Sequence, residues 1–250
     1  MGVKIALGSD WHLGMTSLRS IEKCLRLMVA EEPDVIAMLG DMNGGYRGYR
    51  ATRTIFKTIR QFFPSTPIIG CLGNHELWHV TDKRHRPSLA DYMDNMRKLE
   101  EAFRMSDVWY LEEDGPFRMP QHPGYVLFGH GGWYVNPKPN TNDLNFMPIA
   151  IEGDTHRHLY KASTDKIIQY ADTLGPNDLV RVFCSHFPMY RLEGERESEF
   201  SGDSKLGQFL EQEYKVDHFL EGHSHQRHEG PKKWNCGSDY YKPRYVMVNT

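Results

Sequence analysis

Short apolar runs alternate with segments of helical periodicity along the first half of the chain. The apolar runs predict strands over residues 3–8, 35–39 and 68–72. Apolar residues recur at helical spacing over 17–30 and 51–63, and a proline follows each segment. Strands that alternate with helices form βαβ units. The pattern therefore predicts an α/β fold with parallel strands and ligands gathered at their carboxyl edge.

The second half of the chain is less regular. Helices are predicted over 89–105, 156–173 and 206–214. Strands are predicted over 109–111, 125–128, 179–184, 218–220 and 245–248, the first two on either side of a turn at 114–116. The glycine-rich segment 41–50 is predicted to be an irregular loop, and 129–154 lacks clear periodicity. A loop as long as 129–154 is usually a functional lid or a binding loop.

Composition and charge exclude several classes of protein. At 250 residues and 39% hydrophobic, the chain suits one domain over 1–250. The net charge of −3 indicates no general attraction to nucleic acid or to an anionic membrane. No segment approaches the ~20 apolar residues that span a bilayer, and the apolar run over 3–7 is too short to predict a secretory signal. Four cysteines without a CxxC pair predict buried thiols, and with them a cytoplasmic protein without a membrane partner.

Polar side chains follow five of the predicted strands at the point where each strand ends. They are Asp10 and His12, Asp41, Asn74, His186, and His223 with His225. Two carboxylates, one amide oxygen and four imidazoles exceed the three protein ligands that are usual at one catalytic zinc. The set suits two metals that share a bridging carboxylate.

Each of these residues, taken alone, has a simpler explanation as a capping or turn residue. Polar residues at five separate strand ends would each need an independent explanation, whereas one dinuclear site accounts for all of them. A structural zinc site is a poorer alternative, because no two cysteines have the required spacing.

Taken as a set, the motifs resemble the signature of the calcineurin-like metallophosphoesterases. They are Asp10-Trp-His12, Gly40-Asp41, Gly73-Asn74-His75-Glu76, His186 and Gly222-His223-Ser-His225. The motifs occur in the family's order and cover residues 9–225. The resemblance implies a single-domain β-sandwich flanked by helices, with a dinuclear centre at the carboxyl edges of its strands.

The resemblance also implies a role for each residue of the set. Asp10, His12 and His225 would hold one metal, Asn74, His186 and His223 the other, and Asp41 would bridge both. His75 is similar to the family's catalytic histidine, which binds no metal. Nitrogen and oxygen ligands without a thiolate favour two divalent transition metals, manganese or iron first, with zinc or nickel as alternatives.

The implied reaction is hydrolysis of a phosphoester without a phosphoenzyme. A hydroxide that bridges the two metals would attack phosphorus in line. His75 would stabilise the transition state or protonate the leaving oxygen.

The sequence departs from the motifs of several subfamilies, and these departures reduce the number of candidate substrate classes. Protein phosphatases carry Asp-Arg-Gly after the second Gly-Asp, whereas Met-Asn-Gly-Gly follows Asp41. Lipid-A precursor hydrolases usually have arginine where His75 stands, and recombination nucleases carry a capping domain where 226–250 follow the last motif here. The prediction is a phosphodiesterase acting on small phosphodiesters or nucleotides. The alternatives are a nuclease acting on DNA or RNA, a protein phosphatase and a catalytically silent interaction scaffold. The sequence leaves the oligomeric state open.

Two further groups are candidates for binding the substrate. His130, beside Gly131 and Gly132 at a strand end, either faces the site or belongs to a turn. Arg84 and Arg86, in the basic run that follows the histidine motif, could bind a substrate phosphate. Basic runs are more often solvated surface.

Overall fold

The computed structural model describes residues 2–44, 48–78, 88–133, 143, 155–189, 203–225, 227–238 and 241–250. The strands in these ranges are β1 (Lys4–Gly8), β2 (Val35–Leu39), β3 (Ile68–Cys71), β4 (Trp109–Tyr110), β5 (Phe117–Arg118), β6 (Tyr125–Gly129), β7 (Val180–Ser185), β8 (His218–Glu221), β9 (Arg227–Glu229), β10 (Lys233–Cys236) and β11 (Val246–Asn249). The helices are α1 (Leu18–Val29), α2 (Gly48–Phe62), α3 (Asn74–Leu77), α4 (Leu89–Arg104), α5 (Leu111–Asp114), α6 (Thr155–Ala171) and α7 (Ser204–Glu213).

The strands form two mixed sheets. The first sheet has the order β11-β1-β2-β3-β4, and the second has the order β5-β6-β7-β8-β10-β9. Strands β1 to β4 are parallel, and so are β6, β7, β8 and β10. The edge strands β11, β5 and β9 pair antiparallel with their neighbours. The parallel arrangement predicted for the first three strands is therefore confirmed.

Both faces of the central strands are buried. One face of each sheet contributes to a shared apolar cluster, with Leu7 and Leu39 from the first sheet and Val182 and Leu220 from the second. The opposite face, represented by Met38, packs with residues of the flanking helices. Strands buried on both faces are continuous apolar runs without a polar face, which explains the sequence pattern. The predicted helix-flanked sandwich is confirmed.

The prediction of a loop over 41–50 is wrong for the last three residues, because α2 begins at Gly48. Tyr49 packs against the core and extends the helix toward its N-terminus. The strands predicted on either side of the turn at 114–116 lie in different sheets, since β4 pairs with β3 while β6 pairs with β5 and β7. Local periodicity contains no information on this long-range pairing.

Two expectations from composition can be compared with the structure. All four cysteines are buried free thiols, as predicted. None of the helices in the described ranges is long and apolar enough to cross a membrane.

Candidate metal centre

The seven predicted ligands and His75 lie together at the carboxyl ends of β1, β2, β3, β7 and β8. Three sets of side chains hold their ligand atoms within 4.8 Å of one another: Asp10, His12 and His225; His12, Asp41 and His75; and Asp41, His186 and His223. Asn74 joins the third set, because its Oδ1 lies 3.1 Å from Nε2 of His186. The structure thus places all eight side chains in one cluster.

Five of these residues have left-handed backbone conformations. They are Asp10 (φ 56°), His12 (φ 45°), Asp41 (φ 51°), His223 (φ 62°) and His225 (φ 51°). This region costs an L-residue roughly 1–2 kcal/mol. Strained residues concentrate where geometry serves function, and five of the nine non-glycine residues with positive φ in the described ranges belong to this cluster.

The loop before Asn74 approaches Asp41 too closely for any side chain. A Cβ atom at Gly73 would lie 2.2 Å from Oδ1 of Asp41. The same Oδ1 accepts a hydrogen bond from the His75 N–H at 2.9 Å. Glycine at position 73 therefore allows the β3 loop to close over the Asp41 carboxylate.

Three histidines each direct Nδ1 toward a backbone carbonyl oxygen. Nδ1 of His12, His186 and His225 lies 3.2, 2.9 and 2.7 Å from the carbonyl oxygens of Asn43, Leu39 and Ser238 respectively. A carbonyl oxygen only accepts, so Nδ1 carries the proton in each ring. Burial lowers the pKa of His12 to about 4 and that of His186 to about 3, which keeps these two rings neutral. Their Nε2 lone pairs are then available to a ligand.

Other potential ligand atoms lie close to Nε2 of His186. This atom lies 3.1 Å from Oδ1 of Asn74 and 3.5 Å from Oδ2 of Asp41. Oδ1 of Asn74 and an ionised Asp41 carboxylate only accept hydrogen bonds, and Nδ1 of His223 lies 3.1 Å from the same Nε2. A cation bound among these ligand atoms would convert their close approach into coordination.

The carboxylates of the cluster are buried without a matching cation. Burial raises the pKa of Asp10 to about 6, raises the pKa of Glu76 to about 7 and holds that of Asp41 well above its usual range. Among the described residues, the ion-pair partners of Asp10 and Asp41 are histidines, and no lysine or arginine pairs with them. An uncompensated buried carboxylate is costly, and bound divalent metals would remove that cost. The residues present therefore fit a metal centre.

Comparison with known proteins agrees with this geometry. The family model described as calcineurin-like phosphoesterase matches residues 3–227. The chain belongs to the calcineurin-like phosphoesterase family. The prediction of a metallophosphoesterase, a hydrolase of phosphoric esters, is confirmed. Members of this family generally bind two divalent metals.

Solved structures share the fold of this phosphoesterase at low sequence identity. The protein TT1561 of Thermus thermophilus has a TM-score of 0.61 at 14% identity, over 100% of this chain and 99% of that one. GAP50, the anchor in the inner membrane complex of Plasmodium, has a TM-score of 0.52 at 11% identity, over 95% of this chain and 72% of that one. No curated protein sequence matches the chain. The assignment of all residues from 1 to 250 to one domain stays a prediction.

Glu76 lies in the histidine motif and joins two loops of the phosphoesterase site. Its Oε2 accepts hydrogen bonds from the N–H groups of Asp41 and Gly73 at 2.7 and 2.8 Å. Its Oε1 accepts from the N–H and the side-chain amide of Asn43 at 3.1 and 3.0 Å. Glu76 has no predicted role in the sequence. A glutamate three residues after Gly73, the residue that caps α3, is the available signal.

Asp143 contacts the site from the segment without periodicity. Its Oδ1 accepts hydrogen bonds from Nδ2 of Asn74 at 2.9 Å and from Nε1 of Trp78 at 2.5 Å. Because the amide nitrogen of Asn74 donates to this carboxylate, the amide oxygen faces His186. No sequence signal pointed to Asp143.

His75 lies at the edge of the cluster between His12 and Trp78. Its ring centroid is 4.6 Å from that of His12 and 3.8 Å from the Trp78 ring, which stacks on it. Its Nε2 lies 3.7 Å from Oδ2 of Asp41, and its buried Nδ1 has no hydrogen bond to any residue that the structure describes. Burial lowers the pKa of His75 well below its usual range, which favours a neutral ring.

Of the tentative substrate residues, the structure describes His130 alone. Nδ1 of His130 accepts from the Gly132 N–H at 3.1 Å and lies 3.6 Å from Oε1 of Glu112. In the part of the chain that is described, His130 has no hydrogen bond or ring contact with the eight clustered side chains. Arg84 and Arg86 lie outside the described residues. A substrate-binding role for these three residues stays a prediction.

Proposed function

We propose that this phosphoesterase uses a dinuclear metal centre to hydrolyse small phosphodiesters or nucleotides. The convergence of Asp41, Asn74 and His186 carries the proposal, because their lone pairs meet in a buried site that lacks lysine and arginine among the described residues. GAP50 shares the fold and is an anchor. The side chains of the site, rather than the fold, therefore support hydrolysis.

The proposed ligand sets follow the two halves of the cluster. Asp10, His12 and His225 would hold one metal, Asn74, His186 and His223 would hold the other, and Asp41 would contact both. The nitrogen and oxygen donors favour manganese or iron, with zinc or nickel as alternatives. When bound, the metals would supply Lewis acidity toward the phosphate and toward the attacking water.

The chain's own residues keep these ligands ready to bind. Backbone carbonyls accept from Nδ1 of His12, His186 and His225, which directs Nε2 of each ring toward the proposed metals. The lowered pKa values of His12 and His186 leave their Nε2 atoms without a proton to lose. The His75 N–H fixes Oδ1 of Asp41, which directs Oδ2 toward His186. Preorganised ligands lower the reorganisation that accompanies binding.

His75 would act on the substrate. The Trp78 ring limits its rotation, and its position beside Asp41 places it at the edge of the proposed centre. A neutral imidazole at this place can donate its N–H to a phosphoryl oxygen. The negative charge of a substrate phosphate beside the ring would also favour its protonated form, which could then protonate the leaving oxygen.

The substrate class rests on the sequence around the centre. The residues after Asp41 lack the arginine that protein phosphatases carry in their Asp-Arg-Gly motif. Asn43, two positions after Asp41, is buried and bonded to Glu76, so it serves the loop rather than a phosphate. This supports a small phosphodiester or nucleotide over a phosphoprotein.

An assay of metal-free and metal-loaded protein tests the proposal. Purified protein is stripped with a chelator, reconstituted with Mn²⁺ and compared on nitrophenyl phosphodiesters, nucleotides, phosphopeptides and duplex DNA. We expect hydrolysis only after reconstitution, with small phosphodiesters or nucleotides turned over fastest. Activity that survives chelation would contradict the metal-dependent reaction. A strong preference for DNA or phosphopeptides would contradict the substrate class.

A further inference from the structure

Glu112 is a buried carboxylate outside every motif, and it joins two loops of the centre. It belongs to α5 and is 6% exposed. Its Oε1 accepts hydrogen bonds from the Leu72 N–H at 3.2 Å and from the Gly131 N–H at 2.8 Å. Leu72 lies two residues before Asn74, so the first bond holds the loop that carries this predicted ligand.

Gly131 extends the connection to His186. Its carbonyl oxygen accepts hydrogen bonds from the N–H groups of His186 at 3.1 Å and Phe187 at 2.8 Å. A Cβ atom at position 131 would lie 2.2 Å from the Leu72 carbonyl oxygen and 2.8 Å from Oε1 of Glu112. Glycine at this position therefore lets the three segments approach one another. One carboxylate oxygen thereby links the backbones behind both Asn74 and His186.

The other half of the cluster is held by different groups. The Asp10 carboxylate accepts from the Ser9 hydroxyl at 2.6 Å, and Nδ1 of His225 lies 2.7 Å from the Ser238 carbonyl oxygen. In the described ranges, Glu112 contacts neither Asp10 nor His225. A change at Glu112 should therefore act on one half of the centre.

We propose that Glu112 is a positioning residue that sets the separation of Asn74 and His186 and so the affinity of the metal they hold. This inference rests on the proposed dinuclear function. The side chains of Asn74 and His186 face each other at 3.1 Å, and a small shift of either loop would change that distance. Residues that orient metal ligands typically contribute about 10–100-fold to metal affinity.

The backbone of α5 is anchored independently of the Glu112 side chain. The Tyr170 hydroxyl donates a hydrogen bond to the Glu112 carbonyl oxygen at 2.8 Å. Substitution of the side chain leaves this bond in place, so conservative variants should keep α5 in position.

Two conservative variants distinguish the effect of the length of the Glu112 side chain from the effect of its charge. Glu112→Asp keeps the carboxylate but is shorter by one methylene, so it cannot accept from both amides at once. Glu112→Gln keeps an acceptor oxygen at full length and removes the charge. Glu113→Gln is the matched control, since Glu113 is the next residue and is exposed.

Calorimetric titration of metal-free protein with Mn²⁺ tests the proposal, and Asn74→Ala and His225→Ala identify the two sites. We expect Glu112→Asp to weaken the site that Asn74→Ala removes by about 10–100-fold. The site that His225→Ala removes should be unchanged. Glu112→Gln and Glu113→Gln should bind like wild type.

Three results would overturn the inference while leaving two-site binding intact. One is an equal loss of Mn²⁺ affinity at both sites in Glu112→Asp. Another is Mn²⁺ binding by Glu112→Asp that is as tight as in wild type. The third is Mn²⁺ binding by Glu112→Gln that is as weak as in Glu112→Asp. A wild-type protein that binds fewer than two Mn²⁺ would instead overturn the proposed function, and this inference with it.

Discussion

Removing the charge of Asp10 should stabilise the metal-free protein. Burial raises the pKa of Asp10 from 3.8 to about 6, because the carboxylate is fully enclosed. Each tenfold change in proton affinity is worth about 1.4 kcal/mol, so the ionised Asp10 side chain costs the folded state about 3 kcal/mol at neutral pH. Asp10→Asn keeps an oxygen for the hydrogen bonds from the Ser9 hydroxyl and the His223 N–H, at 2.6 and 3.0 Å.

The sign of the pH dependence follows from the raised pKa. Below pH 3.8 the carboxyl of Asp10 is protonated in both states and has no effect. Between pH 3.8 and about 6 the unfolded chain ionises first, so the free energy of unfolding of the metal-free protein falls as pH rises. Above pH 6 the full cost is present. The advantage of Asp10→Asn should therefore be near zero at pH 4 and largest above pH 6.

Thermal denaturation in a chelator, at pH 4 and pH 7.5, measures this difference. A gain of about 3 kcal/mol should raise Tm by roughly 6–12 °C at pH 7.5. Asp107→Asn is the matched control, since the Asp107 backbone is also in the left-handed region (φ 53°) but its side chain is 96% exposed. With Mn²⁺ at 100 times Kd, wild type should gain about 2.7 kcal/mol that the variant lacks. A metal-free variant less stable than wild type at pH 7.5, or an equal difference at both pH values, would refute the reasoning.

Three further substitutions test separate parts of the site. Metal-free His225→Gly should be about 1 kcal/mol more stable than His225→Ala, because φ is 51° there; equal denaturation midpoints would contradict this. Asp143→Ala should weaken Mn²⁺ binding at the Asn74 site by about 10–100-fold in calorimetry, and Asp143→Asn, which keeps an acceptor, by much less; equal losses would assign the effect to charge. His75→Asn should keep both metals and slow alkyl phosphodiester hydrolysis by about 10²–10⁴-fold, with a smaller loss on nitrophenyl esters. Equal losses on the two esters would indicate charge stabilisation, and a lost metal would make His75 a ligand.

The residues at the strand ends could be predicted because strand and ligand are adjacent in sequence. Asp41 directly follows the apolar run of β2 and Gly40, and His186 directly follows β7. The local sequence pattern therefore predicted both the strand and the polar residue at its end. The assembly of two sheets required the family resemblance, since the pairing of β4 with β3 is not encoded in the periodicity of either segment.

Residues that orient the ligands could not be predicted, because their contacts are distant in sequence. Glu112 is 40 positions from Leu72, and Asp143 is 69 positions from Asn74. Neither lies in a motif, and each acts through hydrogen bonds that exist only in the folded chain. The short strand β9 was missed for another reason. Its three residues, Arg227 to Glu229, are polar and too few to establish an alternation.

Anomalous diffraction from crystals grown with Mn²⁺ tests the dinuclear centre most directly. The account predicts two manganese peaks in each chain. One should be bound by Asp10, His12 and His225, the other by Asn74, His186 and His223, with Asp41 in contact with both. A single peak, or a pair of peaks away from these side chains, would contradict it.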